Sequence, residues 1–75
     1  PFRPMIPLSL MNPGATCAIK RIAGGDAAKR HLEELGFVVG GEVLVVSRSG
    51  DGNVIVNVKG ARVALDAGLA RRIFV

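Results

Sequence analysis

The chain has 75 residues with a formal net charge of +4, and 49% of it is hydrophobic against 21% charged. That length allows one domain and one modest core, and the apolar share excludes a disordered polypeptide. A single cysteine, Cys17, excludes an internal disulfide and points to a reducing compartment, the cytoplasm. No apolar run approaches the ~20 residues that span a bilayer, so a soluble domain is expected.

In chain order, residues 1–7 read as a poorly ordered lead, because Pro1 and Pro4 block regular pairing. The domain itself is expected over residues 8–75. Leu8 to Met11 read as a short ordered turn, closed by Asn12-Pro13-Gly14. Residues 16–22 read as a strand with Cys17 and Ile19 on one side. Ile22 breaks that phase, which predicts a bulge or a strand end near Lys20-Arg21. Gly24-Gly25 ends the strand.

One helix is predicted over residues 27–35. Asp26 suits its N-cap, Gly36 suits the left-handed position past its end, and Ala28, Leu32 and Leu35 form one apolar stripe. Its charges run against the macrodipole: Lys29 and Arg30 near the positive end, Glu33 and Glu34 near the negative one. Pairs at i, i+4 offset part of that cost. A helix selected only for stability would reverse these charges, so Lys29, Arg30 and Glu34 are candidate partner-binding residues, with Arg48 in the later loop.

Residues 42–47 form a strand with apolar residues on both faces, and residues 48–53 a loop rich in turn formers. Val54, Val56 and Val58 alternate with Ile55, Asn57 and Lys59, the clearest period-two strand in the chain. Gly60-Ala61 connects to a strand over residues 62–65. Asp66 caps a helical turn over residues 66–70, and residues 72–75 close the chain as a strand. About five short strands and one helix, with glycines at the corners, predict a mainly β, SH3-like barrel; an OB-like barrel is the alternative.

At this level of detail the chain resembles the FeoA family, the small cytosolic component of bacterial ferrous iron uptake. Leu10 with Pro13-Gly14 resembles the family's opening turn, and Ile19, Ile22 and Gly24 its first strand and exit. His31-Leu32-Glu33-Glu34-Leu35-Gly36 resembles its helix ending in Leu-Gly. Gly40, Val43 and Val45 follow at its spacing, and Gly60-Ala61-Arg62-Val63-Ala64-Leu65 with Ala70, Ile73 and Val75 resemble its close. Three positions depart: His31 stands where Arg is commoner, Val38-Val39-Gly40 replaces Thr-Pro-Gly, and Cys17 replaces a small residue. The resemblance implies an SH3-like barrel similar to the C-terminal domain of iron-dependent repressors. It also implies a partner, the FeoB permease with its cytosolic GTPase domain, and carries over no catalytic residue.

Other chemistries find little footing. Gly24-Gly25-Asp26 opens a helix, but no Gly-Lys-Ser/Thr follows, so no phosphate-binding P-loop is present. Cys17 and His31 are the only soft ligands, short of the three or four that a dedicated zinc site uses, so no cofactor is expected beyond an adventitious divalent metal. One histidine and no paired carboxylates give no catalytic set. Lys20, Arg21, Arg48, Lys59, Arg62, Arg71 and Arg72 could form a basic strip for nucleic acid. Without Tyr or Trp, stacking platforms are missing, so no nucleic acid is expected.

Overall fold

The computed structural model describes residues 5–75. Six strands and two helices follow in the order β1 (Thr16–Ala18), β2 (Arg21–Ile22), α1 (Asp26–Glu34), β3 (Glu42–Arg48), β4 (Val54–Val58), β5 (Ala61–Leu65), α2 (Ala67–Ala70) and β6 (Ile73–Phe74). A 3-10 turn over Leu8–Leu10 precedes them. Strands β1-β3-β4-β5 form one antiparallel sheet and β2-β6 a second. The architecture is mainly β, as the patterning predicts.

The stretch expected to be one strand over residues 16–22 is two strands in two sheets. Ile19 still belongs to the first, donating its amide to Gly41 and accepting from Gly40, both at 2.8 Å. At Lys20 the chain crosses over, and the Lys20 amide donates to Phe74 at 2.8 Å. Ile19 and Ile22 are both buried, and their three-residue spacing is the signature of that crossing, since a flat strand would put them on opposite faces.

Around the crossing, alternate residues build one core. Val43, Val45, Val54, Val56, Val58 and Leu65 face inward from the larger sheet, joined by Leu8, Leu32, Phe37 and Ile73. No polar side chain is buried among the described residues. Val45 pairs with Val56 and Ser47 with Ile55, so Val46 is an extra residue in β3. That bulge reverses the strand's phase. Without it Ser47 would point into the core; with it Ser47 shares Ile55's outer side and Arg48 falls opposite Val54.

Helix α1 begins one residue earlier than predicted. Gly25 is its N-cap and Asp26 its first residue, with no side-chain capping bond. Asp26 therefore acts on the helix only as a negative charge in the first turn, where it complements the dipole. The predicted left-handed Gly36 is present at φ +104°. Leu32 is fully buried, and Ala28 and Leu35 are half-buried. Helix α2 follows the predicted pattern: Asp66 caps it by accepting from the Leu69 amide at 2.8 Å.

The predicted lead over residues 1–7 lies outside the described residues at positions 1–4. Ile6 and Pro7, which it included, are paired. Ile6 exchanges backbone bonds with Val75 at 3.0 and 2.9 Å, and Pro7 bridges to Phe74. Proline blocks only its own donor, so Pro7 leaves its neighbour free to pair. Strand β6 thus has residues 6–7 on one side and β2 on the other.

Candidate functional site

Helix α1 presents Lys29, Arg30, His31, Glu33 and Glu34 to solvent while Leu32 anchors it to the core. These exposed residues divide between surfaces. Lys29 and Glu33, one turn apart, form one wall of a groove of about 400 Å³. Lys20, Arg21 and Ile22 form the facing wall, and Val38 with Val39 close the apolar end. Val39 is 64% exposed. Three cations against one carboxylate leave the groove two charges positive, from Lys20, Arg21 and Lys29 less Glu33. The Arg21 guanidinium sits 5.9 Å from the centre of the Phe74 ring, across the β2-β6 pair, an arrangement that favours a cation over an aromatic face.

Arg30 and Glu34 are exposed on α1 but line neither this groove nor the one that holds Arg48. The bulge at Val46 turns Arg48 toward the 3-10 turn, where it donates weakly to the Ser9 and Met11 carbonyls, each at 3.4 Å. A second groove of about 610 Å³ forms there, between Arg48, Leu10, Asp51 and Arg71. Of the four residues expected to contact a partner, the structure places Lys29 in one groove and Arg48 in another. Sequence reasoning missed Val39, and it read Lys20 and Arg21 only as members of a dispersed basic strip. Their proximity to Lys29 comes from the crossing at Lys20, for which the phase break at Ile22 was the sole signal.

The two soft ligands are apart in role. Cys17 is half-buried on β1 opposite Val43 and packs against the core. Burial pushes its thiol pKa up, which disfavours the thiolate that binds metal or attacks electrophiles. His31 is exposed on α1. No group of three or more His, Cys, Asp or Glu gathers to hold an ion among the described residues.

A compact six-stranded barrel that buries no polar side chain among the described residues and carries open, charged grooves defines a small SH3-like module. Comparison with known proteins then gives the family: the FeoA domain model matches residues 6–75, and the chain belongs to the FeoA family. A Methanocaldococcus jannaschii protein, provisionally named Fe(2+) transport protein A, is 34% identical over 71 residues, 95% of this chain and 85% of that one. A crystal structure of the iron uptake regulatory protein FeoA superposes with a TM-score of 0.88 at 34% identity, covering 93% of each chain. FeoA from Stenotrophomonas maltophilia, crystallised with zinc and described as a prokaryotic SH3 domain protein, gives 0.73 at 32% identity, over 88% of this chain and 84% of that one. A manganese-dependent transcriptional repressor gives 0.88 at 25% identity, with all of this chain matching 42% of that one. The expected kinship to repressor domains is therefore present. No helix among the described residues is long and apolar enough to cross a membrane.

Proposed function

We propose that this chain is a non-catalytic accessory protein of ferrous iron uptake, acting in the cytoplasm by docking on the cytosolic side of a FeoB-type permease. The observation that carries the reading is the extent of the family match. It runs over residues 6–75, the stretch that folds into the barrel and carries both grooves on its surface. Two further features support it. Metal-ligating side chains do not cluster among the described residues, and the grooves beside α1 and Arg48 are open and charged rather than enclosed. Open, partly apolar surface rimmed by charge suits protein recognition.

Amide NMR of the labelled chain tests this directly. Adding the permease's cytosolic domain is expected to shift a contiguous set of surface amides. Anaerobic ferrous iron alone is expected to shift none in a saturable way. Saturable, iron-dependent changes at Cys17 or His31 would make the chain a carrier or sensor instead. Similarity to a manganese-dependent repressor favours a second reading, a detached repressor-type domain. That reading predicts duplex DNA binding that weakens steeply with salt.

A further inference from the structure

The groove between α1 and β2 has a free strand edge along one wall. Ile22 stands opposite Ile73, and the next amide, that of Ala23, donates across the pair to Arg72 at 2.7 Å. Backbone groups alternate in direction along an antiparallel strand. The N–H and C=O of Ile22 therefore point away from β6, toward the groove that Ile22 lines. Outside the β2-β6 ladder no backbone bond to either group is present among the described residues. Strand β6 cannot offer a second edge, because Ile6 and Pro7 occupy its far side.

We propose that this groove receives an extended acidic segment of the partner protein, which adds as a short strand to the edge of β2. The proposal rests on the docking reading above and specifies its contact. Charge selects the occupant. Lys20, Arg21 and Lys29 outnumber Glu33, so carboxylates are attracted. Two copies of this edge would bring those same cations face to face, which disfavours self-pairing, a known use of charge on sheet edges. An extended chain advances about 3.3 Å per residue with side chains alternating. Acidic residues can then meet the cations on one side while intervening apolar residues reach Val39. Main-chain bonds to Ile22 supply affinity, and the flanking cations supply selectivity, as in strand addition generally. A flat anionic membrane surface makes no such bonds.

The test uses the whole chain, 15N-labelled, and an octapeptide alternating glutamate and valine. Shifts are expected at Lys20, Ile22, Lys29 and Val39. Lys29→Glu and, separately, Lys20→Ala should each weaken binding, by roughly tenfold for the reversal, with amide dispersion retained as the control for folding. Of two peptide isomers N-methylated at odd or at even positions, one should bind much more weakly than the other. Equal binding by both isomers, shifts centred elsewhere, or tighter binding of anionic vesicles or duplex DNA at these residues would overturn the proposal. The permease's cytosolic domain separates the two ideas. If it binds wild type and Lys29→Glu equally, the groove is the wrong contact and docking stands. If it binds neither, docking falls, and the peptide alone decides the groove.

Discussion

The Phe37 amide donates to the Leu32 carbonyl at 2.9 Å, and between them the Gly36 amide donates to Glu33 at 3.0 Å. Leu32 and Phe37 are both fully buried. This pair of bonds with its apolar contact is the Schellman motif. It ends α1 and, in the same stroke, drives Phe37 into the barrel. The motif also sets the height of Lys29 and Glu33 over the groove, because it fixes where the helix is pinned.

Gly36 is the residue on which that motif depends. A side chain there meets only ordinary contacts, the nearest being Val58 at 3.7 Å, so the cost of Gly36→Ala is the positive φ. A loss of about 1–2 kcal/mol is expected. Gly36→Asn should lose less, since Asn tolerates that region better. Urea unfolding monitored by circular dichroism checks both.

Gly24 also has positive φ, at +114°, and a Cβ there would run into the Arg72 guanidinium. The obstacle is the end of a flexible side chain, which can swing aside. Gly24→Ala is therefore expected to cost about the same in an Arg72→Ala background as in wild type, roughly 1–2 kcal/mol in each. A double-mutant cycle reads the coupling, and strong rescue by Arg72→Ala would show that the collision dominates.

The first turn of α2 is held by two side chains. Asp66 Oδ1 accepts from the Leu69 amide at 2.8 Å, and Asn53 Oδ1 accepts from the Ala67 amide at 2.9 Å. Asp66→Ala should cost about 1 kcal/mol, the usual value of an N-cap. Asn53→Ala should cost a similar amount and also loosen the loop before β4. Chemical denaturation gives the losses, and hydrogen exchange at Ala67 and Leu69 assigns them.

Cys17 gives a pH dependence of definite sign. Burial raises its pKa in the folded state, so the folded chain holds the thiol proton more tightly than the unfolded one. Stability from this group is complete below the unfolded thiol's value of about 8.5 and is lost as pH rises past it. Melting temperature should thus fall more steeply above that pH for wild type than for Cys17→Ala. A thiol reagent should label Cys17 slowly in the native state and rapidly in urea.

Much of the barrel was legible because its strands are short and strictly patterned. Val54, Val56 and Val58 left β4 no alternative, and Asp66 with its small-residue turn fixed α2. Asp26 misled because Asp favours both the N-cap and the first helical turn, and backbone geometry gave the cap to Gly25. The bulge at Val46 was illegible, since an unbroken apolar run has no phase to break. The groove was hidden for a related reason. Lys29 stood out on its own helix, yet Lys20 and Arg21 become its neighbours only through pairing with a strand more than fifty residues later.

That distant pairing governs when the molecule can first exist. Strand β6 is the seam to which both β2 and residues 6–7 are joined, and Val75 closes on Ile6 by two backbone bonds. During synthesis every earlier element leaves the ribosome before its seam is available. The β3-β4-β5 meander can assemble on emergence, whereas the wall of the groove stays unformed until β6 has cleared the exit tunnel. A nascent chain with β6 still inside the exit tunnel would display a sheet and a helix but not the finished groove.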